Sequence, residues 1–122
     1  MYKRIAFFII TLFFFVIISA VSINAQDAAK VAPNIYKVKF ENERVRVLDV
    51  QSNPGDKSDW HSHPGGPFYV LEGGKMKMTT KDGSSKINEL KKGQTGFEDA
   101  VTHKSENVGK TKVHLILVEL KK

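Results

Sequence analysis

Cysteine is absent from all 122 residues. That excludes disulfides, thiolate metal sites, a cysteine nucleophile and a lipidated cysteine anchor. Any staple must therefore come from a metal or a partner subunit. Acidic residues are missing from the first 26 positions, although 13 follow. Glycine is missing before residue 55, and three of the four prolines are Pro54, Pro64 and Pro67. This punctuation leaves no room for a long helix in the second half. Also lacking are a Gly-rich phosphate loop, a G-x-S-x-G elbow and a recognisable paired-carboxylate motif. Histidine is scarce: four residues, two of them separated by a single serine.

The N-terminus runs from basic to apolar. Met1-Tyr2-Lys3-Arg4 precedes an uncharged stretch, residues 5–26, holding five of the eight phenylalanines. This order is that of a secretory signal peptide over residues 1–25. Ser19, Ala20, Ser22 and Ala25 supply the small residues of a cleavage region. Ile23 is bulky for the −3 position of a cut after Ala25, so a cut nearer Ser22 is the alternative. An uncleaved membrane anchor over residues 5–23 competes, since about 19 apolar residues can just span a bilayer. The short apolar run ending in small residues favours cleavage. Either way the remainder is expected to be exported, periplasmic or secreted, touching a membrane only through an uncleaved leader.

Without its first 25 residues the chain has 97, with 17 basic and 13 acidic side chains and a net charge of +4. The lysines and arginines alternate with apolar residues, as in Lys37-Val38-Lys39-Phe40 and Lys75-Met76-Lys77-Met78. Positive charge spread this way coats outer strand faces and blunts edge pairing. Nucleic-acid binding would concentrate it, so no nucleic-acid partner is expected.

Residues 26–33 read as a short polar linker and 34–122 as one domain. Alternation and turn signals predict strands over 35–40, 44–51, 68–72, 75–80, 85–90, 95–98, 102–107 and 112–120. Lys81-Asp82-Gly83-Ser84 is a strong hairpin signal, because Asp-Gly supplies the positive φ of a tight turn. Gly73-Gly74 and residues 107–110 are further turns. Many short strands at this spacing imply an all-β sandwich or barrel.

His61-Ser62-His63 carries the chemistry. On an extended strand residues i and i+2 share a face, so both imidazoles can converge on one point as a bidentate arm for a first-row metal. Around it stand Gly55, Pro64 and the Tyr69-Val70-Leu71-Glu72-Gly73 run, and farther on Gly93, Asp99, His103 and Asn107. These residues resemble the two blocks of a small single-domain cupin, G-x5-H-x-H-x(3,4)-E-x6-G and G-x5-P-x-G-x2-H-x3-N. The likeness covers residues 55–107 and is nearest to the small cupins named for beta-alanine degradation. It implies a jelly-roll β-barrel of the RmlC-like type holding one divalent ion (Fe, Mn, Ni or Zn) through His61, His63 and His103, with Asn107 in a structural role. Two departures stand out. The glutamate ligand of the first block falls on Gly66, and the second block is one residue short, with Asp99 in place of proline and Val101 in place of glycine.

Three neutral imidazoles would leave the ion its full charge and open positions for water or an anionic molecule. Three-histidine cupins include the thiol dioxygenases, so the resemblance implies dioxygenase-like chemistry on a small polar or anionic molecule, with isomerase or lyase chemistry behind it. The rival is a non-catalytic module that binds or senses a small ligand in the same cavity; a barrel without metal is the third reading. Glu98 is the candidate catalytic acid–base group or fourth ligand, with Gln94 and Asp99 weaker candidates. His114 is expected to be a satisfied core residue. Trp60, Phe68, Tyr69, Met76, Met78 and Phe97 are expected to supply core and pocket wall, Trp60 pointing away from the site. A homodimer pairing through residues 35–40 is expected from the thin core.

Overall fold

A computed structural model describes residues 26–122. The leader and its cleavage region lie outside the described residues. Nine strands follow one helical turn: α1 (Ala28–Val31), β1 (Tyr36–Glu41), β2 (Val45–Ser52), β3 (His61–His63), β4 (Gly66–Glu72), β5 (Gly74–Thr80), β6 (Ser85–Leu90), β7 (Thr95–Glu98), β8 (Val101–Asn107) and β9 (Val113–Leu120). They form two antiparallel sheets, ordered β1-β2-β9-β4-β7 and β3-β8-β5-β6.

Only β1–β2 and β5–β6 pair as sequence neighbours within a sheet. Every remaining connection carries the chain from one sheet to the other, the winding of a jelly roll. The Asp-Gly turn forms the β5–β6 hairpin as expected. Gly83 has φ +86° and Asp82 Oδ1 accepts from the Ser84 amide at 2.9 Å. Gly73-Gly74 instead carries the chain between sheets, where a Cβ on Gly73 would collide with the Leu90 carbonyl.

The interior lies between the sheets. Leu48 and Val50 on β2, and Val113 and Leu117 on β9, point inward and are buried, as alternation requires. Residues 26–33 are not a linker. Asp27 caps α1, accepting from the Ala29 amide at 2.9 Å, and the small side chains of Ala28 and Ala32 let that turn pack into the core beside Ile35 and Tyr36. Their burial offsets the short helix's weak intrinsic stability. Tyr69 and Phe97 also depart from expectation. They pair with Thr95 and Pro67 on the outer face, opposite in phase to inward-facing Phe68 and Val70, and are about half exposed at 47% and 60%.

Asn107 ties the β2–β3 and β8–β9 connections together. Its Nδ2 donates to the carbonyls of Ser52 at 2.8 Å and Thr111 at 2.9 Å, and its Oδ1 accepts from the Gly109 amide at 3.0 Å. Because the residue is buried, removing the amide leaves these groups without partners. Asn107→Ala is expected to lower stability by about 2–4 kcal/mol, measured by urea denaturation. A loss below about 0.5 kcal/mol would show that the loops do not depend on it.

Candidate metal centre

Strand register builds the site. His61 pairs directly across from His103 on β8, so the two rings share a face, and His63 joins them by two-residue alternation on β3. Ring centroids are 4.8 Å apart for His61–His103, 4.9 Å for His61–His63 and 5.3 Å for His63–His103, with the rings edge to face. One nitrogen from each lies within 4.8 Å of the others, and all three residues are buried. Ligand nitrogens on one ion sit about 3–3.5 Å apart, so a slight inward movement of the rings closes the set.

Hydrogen bonds show what these rings lack. His61 Nδ1 lies 2.8 Å from the Asp59 carbonyl, which can only accept, so this nitrogen carries the proton and Nε2 presents a lone pair. His61 Nε2 and His103 Nε2 are buried without any hydrogen-bond partner. Burial holds the His61 pKa below the ordinary imidazole value, and burial next to His61 and His63 pushes His103 down to about 3. Both rings are therefore neutral at physiological pH, the form that binds a metal. Two orphaned buried nitrogens cost about 1–3 kcal/mol each unless something occupies the space between them. A divalent ion fits this donor set, and the His61, His63 and His103 group can bind one.

Glu98 lies beside the cluster. Gly66 on β4 pairs with Glu98 on β7, so the carboxylate stands directly across from the residue that lacks a side chain. Its Oε1 lies 3.9 Å from His103 Nε2, and burial raises its pKa above the usual carboxylate range. Gly66 itself has no room for a side chain, since a Cβ would run into the Val118 carbonyl of β9.

Four further residues complete the site, and none was singled out from the sequence. Glu119, buried on the inner face of β9, accepts from His63 Nδ1 at 3.2 Å. Arg46, across from it on β2, donates to Glu119 Oε1 from Nε at 2.8 Å and Nη2 at 2.6 Å, and from Nη1 to Asp27 at 2.7 Å. Burial opposes ionisation of Glu119, but its bonds to His63 and Arg46 outweigh that and hold the carboxyl below its ordinary range. Tyr36 lies over the His61 and His63 rings at 4.9 and 5.3 Å, and burial pushes its phenol up to about 12. A signal was present: Val113, Leu115, Leu117 and Glu119 occupy one strand face, and a glutamate on an otherwise apolar face marks a buried partner.

The other candidates lie elsewhere. Gln94 and Asp99 are exposed; Gln94 caps the turn at Lys91. Trp60 packs beneath the Lys81 ammonium at 3.9 Å, away from the histidines. His114 is not in the core. It faces outward from β9, with Nε2 2.6 Å from Asp49 Oδ1, while Gln51 donates to the other Asp49 oxygen at 3.1 Å. Burial disfavours the Asp49 charge, but these bonds outweigh it and the pKa falls below the ordinary value.

Two outcomes follow. Gly66→Glu is expected to unfold the domain rather than restore a ligand, because the side chain must displace β9; a soluble variant with a wild-type melting curve would contradict the packing. Asp49→Asn is expected to destabilise by about 1 kcal/mol at pH 7. A depressed folded pKa contributes its stability above the unfolded value and loses it on acidification. The gap to wild type should therefore close as pH falls below about 4. A gap unchanged down to pH 2.5 would show that the carboxylate charge contributes nothing.

No protein-family model and no curated protein matches the chain. Solved structures do. A cupin domain from Bordetella pertussis Tohama I is 27% identical with a TM-score of 0.65, over 72% of this chain and 93% of that one. A cupin-like protein from Thermotoga maritima is 28% identical with a TM-score of 0.51, over 69% of this chain and 64% of its own. An RmlC-like cupin from Methanocaldococcus jannaschii, described as a double-stranded β-helix, shares the fold at 12% identity and a TM-score of 0.57, over 71% and 79%. The chain has the all-β jelly-roll fold of the cupins, with a three-histidine cluster inside it.

Proposed function

We propose that this is an exported cupin that holds one divalent ion (Fe, Mn, Ni or Zn) through His61, His63 and His103. Its activity is metal-dependent chemistry of the dioxygenase kind on a small polar or anionic molecule. The observation that carries this reading is the pair of buried, unpartnered Nε2 atoms of His61 and His103, facing a space they share with His63. When bound, the ion supplies Lewis acidity and a coordination site, and iron(II) would add oxygen chemistry.

The chain's own residues do the rest. His61 and His103 are held neutral by burial and add no negative charge, which favours an anionic molecule at the centre. Glu98, with its raised pKa and its place beside His103, can hold a proton and return it, or serve as the fourth ligand. A proton-transfer group at the cluster is what separates an enzyme from a passive carrier. The second reading is a periplasmic module that binds or senses a small ligand in the same place without chemistry. The proposal includes a homodimer paired through β1, an edge strand of the five-stranded sheet.

Elemental analysis of native protein tests the reading. About one divalent ion per chain is expected in the wild type and in His114→Ala, and about a tenth of that or less in His61→Ala and His103→Ala. Stoichiometric metal in both site variants would reject the assignment. Glu98→Gln should keep its metal and lose about 100-fold or more in turnover under a dioxygen-consumption screen. Loss of metal would make Glu98 a ligand, and unchanged turnover would remove it from the chemistry.

A further inference from the structure

The N-terminal arm reaches the cluster by two routes. The first is through the backbone. The Gln26 carbonyl accepts from the Ser62 amide at 2.7 Å, and Asp27 forms an isolated parallel bridge with Ser62, the residue between His61 and His63. The arm thus supplies β3 with a second neighbour on the side away from β8. The second route runs through side chains: Asp27 Oδ2 to Arg46 Nη1 at 2.7 Å, Arg46 to Glu119 Oε1, and Glu119 Oε2 to His63 Nδ1 at 3.2 Å. Glu119 has both oxygens occupied and is almost inaccessible at 1%.

We infer that Glu119 is a positioning residue for His63, and that Arg46 and the arm through Asp27 and Gln26 hold it in place, making residues 26–27 a working part of the metal centre. This rests on the metal-binding reading above. A carboxylate can only accept, so in the neutral ring, the form that binds a metal, the proton sits on Nδ1 and the lone pair on Nε2. Arg46 can only donate, so it keeps Glu119 Oε1 turned toward itself and leaves Oε2 for the ring. His61 is fixed in the same tautomer by the Asp59 carbonyl, so the two arms of β3 are oriented by different acceptors.

Glu119→Gln should invert this arrangement. Arg46 would retain the amide oxygen, turning the amide NH2 toward His63. That group donates, so Nδ1 must accept and the proton moves to Nε2, the nitrogen otherwise free to bind metal. The side chain keeps its shape while the tautomer inverts. Asp27→Asn weakens the anchor on Arg46 without touching His63 and should act in the same direction, less strongly.

Cobalt(II) affinity by chelator competition and the His63 tautomer by histidine ¹⁵N spectra of the metal-free protein read the two consequences separately. Wild type is expected to show the Nδ1–H tautomer. Glu119→Gln is expected to show Nε2–H and to bind cobalt about 10–100-fold more weakly. Asp27→Asn should retain the wild-type tautomer and bind about 3–10-fold more weakly. A Glu119→Gln protein with wild-type tautomer and affinity within about twofold overturns the positioning role while leaving the metal reading intact. Absence of cobalt binding by wild type sinks the metal reading, and the proposal with it. Should Glu119→Gln fail to fold, Asp27→Asn decides: wild-type affinity there overturns the role of the arm, and weakened binding with an unchanged melting temperature supports it.

Discussion

The pairing of β3 with β8 is the constraint on which the rest of the molecule depends. A three-residue strand is too short to be stable alone, yet it carries two of the three histidines and places the third opposite them. Cross-strand register does what no local sequence feature could: it converts a separation of about forty positions into neighbouring rings. The cost is two buried nitrogens without partners. Most buried polar groups find a hydrogen-bond partner, so two adjacent imidazole nitrogens that do not are the exception a bound ion would account for.

Around this centre the domain places charge where a small barrel can least easily accommodate it. Arg46, Glu119 and Asp27 form a chain of ion pairs running inward from the surface, ending on His63. Buried ion pairs are poor sources of net stability, because desolvation offsets much of the attraction. Their retention here is better understood through geometry. The chain of ion pairs fixes the His63 ring and ties the N-terminal arm to the rest of the domain. Gly66 and Glu98 illustrate the same economy. The backbone of β9 presses so close to Gly66 that no side chain fits, and the residue paired with it on β7 is the carboxylate-bearing Glu98.

Much of this was legible in the sequence. Alternation and turn residues gave eight of the nine strands, and the His-x-His spacing marked one face of a strand too short to show any other periodicity. Asn107 matched its structural role because its side chain satisfies three backbone groups at once. What was not legible depended on contacts distant in the chain. Residues 26–33 look polar and featureless, and only the surface they cover turns them into a capped helical turn. Phase decided His114, Tyr69 and Phe97. Each sits in an apolar run whose two faces cannot be told apart until neighbouring strands are known, and each proved to face outward. Glu119 stood within a run that reads as buried, and Arg46 pairs with it only through the β2–β9 register.

The cluster is therefore best judged by what surrounds a bound ion. X-ray absorption fine structure on zinc- or cobalt-loaded full-length protein should resolve three imidazole nitrogens at about 2.0–2.1 Å, with oxygen filling the remaining positions. The same spectrum from His103→Ala should lose one imidazole or all bound metal. A wild-type shell with two imidazoles or fewer, or one unchanged when His103 is replaced, would contradict the convergence of β3 and β8 on a single ion.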